Sequence, residues 1–448
     1  MKRKIAVLAV IFLTAAVLSG CSFAGLNAQT LMHAPRPTGE NEADIQSLLE
    51  QTGGSGMTLK YPETGGYRSA IITHDLCGDK TQEAMAFYQK GDDSLGISVT
   101  FMQKDGEWKN IGTFSNPATQ VDRVCFGDLN GDGKDEVVVG WGSSQNNTAS
   151  ICVYYFQNGR MAELKLDQGY TEMAVADFSG DGQDEIFTAS VTVGDQPAAA
   201  HLLRLKSGAV EVMGSAPLDT GVTQYASVKT GLVNEKQFGI VLDGVKNANN
   251  MVTELLYWDK NKKMLEAPFY DPATKSAKST ERSTSVVSED INGDKILEIP
   301  LVTLMPGYSG STAGEADYLT SWHRYDTQTN TFIRVMSMVI DYADGYWFSV
   351  PDMWRGKITT KLDPATRTLT FYQWMASAGG EGGVRGPELL KIEIFTTQGW
   401  VSGKGTGGFF RLTSKDKLVF AASIPSPRNS LSLTQEEIRG AFKLIDQE

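Results

Sequence analysis

The chain has 448 residues, 53 acidic and 41 basic, with a formal net charge of −12. That balance excludes a nucleic-acid binder, which needs a basic face to displace counterions from phosphate. The acidic excess suits a soluble body and is compatible with cation binding.

The first residues read as an export signal. Lys2, Arg3 and Lys4 precede an apolar stretch from Ile5 to Val17, broken by Thr14, and Leu18-Ser19-Gly20-Cys21 follows. This run is shorter than the roughly 20 apolar residues a membrane span needs, and it ends in small residues as a cleaved signal does. The Leu-Ser-Gly-Cys ending resembles the bacterial lipobox. The resemblance implies cleavage after residue 20, diacylglycerol on Cys21, and a protein anchored to the outer face of the bacterial cytoplasmic membrane, at the cell surface. Each buried CH₂ of such a chain contributes about 0.8 kcal/mol to membrane binding. Residues 21–56 read as a tether, with Pro35, Pro37, Gly39 and Gly53-Gly54-Ser55-Gly56. A short helix is expected at 41–50, where Ile45, Leu48 and Leu49 share a face.

From residue 57 to 425 the chain is a succession of short strands rich in Val, Ile, Thr, Tyr and Phe. An acidic nonapeptide recurs: Asp75–Glu83, Asp128–Glu136, Asp177–Glu185 and Asp290–Glu298. The starts step by 53, 49 and 113 residues, the last about two periods, so a copy without its acids is expected near Val228–Phe238. Further units are expected at Asp341–Gly345 and near Leu390. An apolar strand enters each acidic turn and three more follow, with tight turns such as Asn158-Gly159 and Ser207-Gly208. Four strands per unit of about 50 residues is the pattern of a propeller blade, which buries its faces against its neighbours. The expected fold is an all-β propeller of seven four-stranded blades, with six or a split arrangement as alternatives.

In the second copy Asp128, Asn130 and Asp132 stand at positions 1, 3 and 5 of a tight loop. Gly133 gives the bend, and the carbonyl of Lys134 and the carboxylate of Glu136 complete an oxygen cage suited to Ca²⁺. The third copy offers Asp177, Ser179, Asp181, Gln183 and Glu185; the fourth offers Asp290, Asn292, Asp294 and Glu298. At position 6 the fourth has Lys295 in place of glycine, and the first has the soft Cys77 at position 3. Suitability falls in the order 128, 177, 290, 75, and one to three ions are expected. The competing expectation is a turn held by its own side-chain hydrogen bonds without metal. These segments resemble the FG-GAP and VCBS repeats of integrin-like propellers, whose Asp-x-Asn-x-Asp-Gly loops bind calcium. The resemblance covers residues 67–305 and names no ligand.

Catalytic signatures are weak. The four histidines, at 33, 74, 201 and 323, form no zinc motif. Gly307-Tyr308-Ser309-Gly310-Ser311 lacks the closing glycine of a nucleophile elbow, and Ser414-Lys415-Asp416-Lys417 reads as a hairpin turn. Cys77, Cys125 and Cys152 are odd in number and read as small apolar residues, with a Cys125–Cys152 bridge left open. Aromatics cluster between 342 and 354. Tyr346, Trp347 and Trp354 are candidates for a surface that stacks on sugars or peptides, against the simpler expectation of inter-sheet core. Residues 426–448 read as a helical tail: Thr434 to Glu437 forms a capping box, and Ile438, Phe442 and Ile445 follow at helical spacing. The sequence favours a non-enzymatic surface binding or scaffold protein with a protein or carbohydrate ligand. A polysaccharide lyase or hydrolase, or a purely structural envelope component, are the alternatives.

Overall fold

The computed structural model describes residues 40–54, 56–91, 96–143, 146–247, 250–311, 316–377, 382–403 and 406–445. Cys21, the expected signal segment and most of the expected tether lie outside them. Six antiparallel sheets follow one another along the chain. Sheet one holds β1 (Thr58–Lys60), β2 (Ile71–His74), β3 (Glu83–Gln89), β4 (Ile97–Asp105) and β5 (Glu107–Asn116). Sheet two holds β6 (Gln120–Gly127), β7 (Glu136–Ser143), β8 (Asn146–Gln157) and β9 (Arg160–Tyr170). Sheet three holds β10 (Glu172–Ala176), β11 (Glu185–Ser190), β12 (Ala199–Lys206) and β13 (Ala209–Pro217). Sheet four holds β14 (Gln224–Leu232), β15 (Phe238–Asn247), β16 (Asn250–Asp259) and β17 (Met264–Glu266). Sheet five holds β18 (Ile299–Leu304), β19 (Tyr318–Asp326), β20 (Thr331–Asp341) and β21 (Tyr346–Ser349). Sheet six holds β22 (Ile358–Asp363), β23 (Thr368–Ala376), β24 (Gly383–Thr396), β25 (Phe409–Lys415) and β26 (Leu418–Ser423). The last strand, β27 (Phe442–Leu444), returns to the edge of sheet five beside β21.

Period-two alternation explains the stacking, because successive side chains of a strand point to opposite faces. In β7, Val137 and Val139 join Phe87, Phe101 and Tyr154 between sheets one and two. Val138 joins Ile186 and Leu203 between sheets two and three. In β15, Ile240 and Leu242 pack with Phe187 toward sheet three, while Val241 packs with Ile299 toward sheet five. Central strands buried on both faces read as nearly continuous apolar runs. This arrangement is propeller-like.

The expected count of seven is corrected to six sheets among the described residues. Asp341–Gly345 does not open a new unit. It is the hairpin joining β20 to β21 within sheet five, where Asp341 pairs with Tyr346. Leu390 lies inside β24. The helix expected at 41–50 is α1 (Glu40–Gly53), and it is packed: Ile45 and Leu49 are buried on Ala84, Ala86, Tyr88 and Met102 of sheet one. Trp400 of α2 (Thr397–Ser402) packs on Phe395, Val419 and Ala421 of sheet six. Helices thus cover a face of the first sheet and of the last. The C-terminal helix is α3 (Gln435–Ala441), capped by Thr434 and Glu437 as expected. It stops one residue before Phe442, which instead begins β27.

Candidate metal turns and a cleft

The four acidic nonapeptides share one geometry. The first aspartate accepts backbone N–H from residues 4 and 5 on Oδ1 and from residue 6 on Oδ2, all at 2.5–3.2 Å. The second aspartate, Asp79, Asp132, Asp181 or Asp294, accepts the N–H of residue 7. The closing glutamate turns Oε2 onto the N–H of residue 2 at 2.8–3.0 Å. Residue 2 is apolar each time, and Leu76, Leu129 and Phe178 are buried beneath the turn. Lys80 and Lys295 adopt φ of 70° and 69° at position 6, where Gly133 and Gly182 stand in the other copies. The lysine therefore strains the backbone, by roughly 1–2 kcal/mol, without changing the loop. Every copy is a self-bonded turn, the one with Cys77 included.

What differs is the second oxygen of the closing glutamate. Glu83 Oε1 accepts from Gln103 Nε2 at 3.4 Å. Glu136 Oε1 accepts from Asn130 Nδ2 at 2.5 Å. Glu185 Oε1 is paired with the guanidinium of Arg204, whose Nη2 also lies 2.8 Å from Asp181 Oδ2 and from Ser179 Oγ. Glu298 is fully buried and its Oε1 has no hydrogen-bond partner.

Among the described residues, two sets of three carboxylates each bring one oxygen per residue within 4.8 Å of the others: Asp177, Asp181 and Glu185, and Asp290, Asp294 and Glu298. Both can hold a metal ion. The 128 turn, which ligand types ranked first, is not among them, and there the Asn130 amide bonds Glu136. The 177 set already contains a cation, Arg204. The 290 set alone combines three converging carboxylates with an unpartnered buried oxygen. Burial pushes the Glu298 carboxyl up to about 7, and the neighbouring Asp294 and Asp290 add to the rise. A cation among the three would relieve that cost. The residues therefore fit a hard divalent ion. In the 290 turn Asn292 bonds Asp294, donating to Oδ2 and accepting from its N–H, both at 2.9 Å.

The remaining predicted residues have other duties. The Lys134 ammonium lies 6.0 Å from the Phe156 ring centroid. Gln183 Nε2 donates to the carbonyls of Leu129 and Leu205, tying sheet three to sheet two. The acids at position 8 join neighbouring turns. Asp135 Oδ2 meets His74 Nε2 at 2.7 Å, and Asp184 Oδ2 accepts from Asp128 N at 3.0 Å. Tyr346 and Trp354 are completely buried beside Phe348 and Phe371, and Trp347 is half-buried under Lys443. The stacking-surface expectation is corrected for Tyr346 and Trp354, which fill the core between sheets five and six, while Trp347 packs against the cluster of Val286, Trp322 and Met338. Cys77, Cys125 and Cys152 are free thiols.

A cleft of about 550 Å³ opens where sheets four, five and six meet. Asn250, Ser285, Asp317, Tyr318, Asp341 and Tyr342 line it over an apolar floor, and its described lining contains no Lys, Arg or His. Asp317 Oδ2 accepts from Thr360 Oγ1 at 2.6 Å and from Tyr308 Oη at 3.2 Å. Asp341 is buried, and burial raises its pKa. Behind this wall Arg282 Nη2 donates to Asp243 Oδ1 at 2.8 Å, with both side chains essentially inaccessible. No sequence motif marks the cleft, because its lining comes from strands and loops far apart in the chain.

No protein-family model matches the chain, and no curated protein matches it in sequence. Solved structures align at low similarity. A rhamnogalacturonan lyase from Bacillus licheniformis covers 82% of this chain and 90% of its own at 12% identity, with a TM-score of 0.31. The C-terminal domain of PilY1 from Pseudomonas aeruginosa covers 80% and 79% at 11% identity, with a TM-score of 0.30. A protein from Lactobacillus plantarum covers 69% and 88% at 10% identity, with a TM-score of 0.27.

Proposed function

We propose that the chain is an exported, lipid-anchored binding protein of the bacterial surface, with a calcium ion held in its 290–298 turn. The observation that carries the metal is the orphaned, buried Oε1 of Glu298 beside Asp290 and Asp294. Asp290, Asp294 and Glu298 would supply hard oxygen ligands, and the ion would fix the turn that leads into sheet five. Calorimetric titration of the purified full chain with CaCl₂ tests this. One ion should bind and raise the melting temperature. Glu298→Gln should abolish binding, whereas Asp128→Ala should leave it intact. No heat at millimolar calcium would sink the metal reading.

Export and anchoring rest on Leu18 to Cys21. Cys21→Ser should leave the protein out of the membrane fraction, and an unaltered membrane-bound mature form would remove the anchor. The contact surface assigned to this function is the cleft, whose ligand is a protein or carbohydrate. A purely structural component was expected to lack a cleft, so the cleft counts against that alternative.

A second reading is favoured by one observation, the presence of both Asp317 and Asp341 in the cleft. Two carboxylates in unlike environments are the minimum for acid–base cleavage of a glycosidic bond. Incubation with neutral and acidic polysaccharides should then release new chain ends, and Asp341→Asn should stop it. Absence of products would leave binding alone.

A further inference from the structure

The geometry points to Glu235 as a positioning residue that keeps the 290 turn open to a metal ion by holding Arg324 away from Glu298; this rests on the metal reading above. In each sheet that carries an acidic turn, antiparallel register places one residue opposite the closing glutamate. Ala84 pairs with Met102, Val137 with Tyr154, Ile186 with Leu203 and Ile299 with His323. One step back, the opposite residues are Gln103, Tyr155, Arg204 and Arg324. Sheets three and five thus carry an arginine at the same place. Arg204 turns inward and occupies its own turn through Glu185, Asp181 and Ser179. Arg324 turns outward, and its Nη1 pairs with Glu235.

Glu235 belongs to the copy that lost its acids, the link between β14 and β15. That link is pinned in place. Asn234 Oδ1 accepts from Lys236 N and Gln237 N at 3.0 Å each, and Val233 N donates to Gln237 O at 2.9 Å. Asn234 Nδ2 donates across to Tyr325 O at 3.1 Å and Thr327 Oγ1 at 3.2 Å, at the end of the strand that carries Arg324. Leu297 N donates to Leu232 O at 2.7 Å, fixing the acidic turn against the same link. Glu235 is therefore held beside Arg324, and Arg204 has no such outside partner among its ion pairs. Register puts Arg324 where Arg204 stands in sheet three, and there the guanidinium reaches the closing glutamate. A guanidinium and a divalent cation among the same three carboxylates would repel each other, so the turn holds one or the other.

The test compares the full chain with Glu235→Ala, Arg324→Met and the double variant, titrated with CaCl₂ in a calorimeter. Released from Glu235, Arg324 should enter the turn and weaken calcium binding about tenfold or more, from like-charge competition at short range. The double variant should return to within about twofold of the wild-type affinity, since neither competitor nor holder remains. Melting without calcium separates this from a structural defect: an exposed ion pair contributes little to stability, so Glu235→Ala should melt close to wild type. Unchanged affinity in Glu235→Ala overturns the inference, and so does a double variant as weak as the single. If wild type binds calcium through Glu298 but ignores Glu235, this inference alone falls. A wild-type chain that binds none removes the metal reading and this inference with it.

Discussion

Replacing Arg204 by methionine asks whether a guanidinium stands where an ion would. Arg204 Nη2 is the cationic partner of both Glu185, fully buried, and Asp181, half-exposed. Breaking a buried pair by removing one member costs about 3–5 kcal/mol, because the charge left behind is unpaired. Arg204 keeps 22% of its side-chain surface exposed, so solvent screening places the loss at the lower end, about 3 kcal/mol. The methionine retains the apolar stem and vacates the space among Asp177, Asp181 and Glu185. Calcium at a hundred times its dissociation constant would then restore about 2.7 kcal/mol by linkage. The assay is urea denaturation of the full chain with and without calcium, together with calorimetric stoichiometry. Arg204→Met should be less stable than wild type in chelator and nearly rescued by calcium. It should bind one ion more than wild type. A variant as stable as wild type in chelator, or one destabilised but blind to calcium, would refute the equivalence of arginine and metal.

Two other buried charges give independent checks. Glu254 is buried near Asp219, and burial pushes its carboxyl up to about 7, above its unfolded value. The folded state therefore holds a proton that the unfolded state releases, and stability falls as pH rises from about 4.5 to about 7 and then levels. Glu254→Gln should reduce that slope by about 1.4 kcal/mol per pH unit in urea melts across this window, and an unchanged slope would count against it. Arg282→Met should cost about 3–5 kcal/mol by leaving Asp243 buried and unpaired, while Asp243→Asn with Arg282→Met should cost markedly less; equal losses in a double-mutant cycle would contradict this.

The fold was legible wherever the sequence repeats. The turns at 75, 128, 177 and 290 each deliver the chain into a sheet of their own, and the copy that lost its acids sits between β14 and β15 where the period placed it. The count went astray at Asp341, because an aspartate and a glycine at a hairpin look the same in sequence whether the hairpin links two strands of one sheet or opens the next. Helix α1 was legible as a helix from Ile45, Leu48 and Leu49. Its packing was not, since nothing local marks Ala84, Ala86, Tyr88 and Met102 as its seat.

The order of the metal turns inverted for a related reason. Ligand type is a property of nine consecutive residues, and by that measure Asp128 to Glu136 is the best loop. What holds the closing glutamate is set within the loop by Asn130 in the 128 turn, and across the sheet by Gln103 and Arg204 in the 75 and 177 turns. Gln103, Arg204 and Arg324 lie 19 to 26 residues beyond the closing glutamates, and Glu235 lies in the link between two strands of another sheet. The fourth turn has the poorest loop sequence of the three candidates, with Lys295 at the bend, yet it alone leaves a buried oxygen without a donor. A cation opposite the glutamate thus closes the site, as Arg204 does, and a carboxylate that draws that cation away opens it.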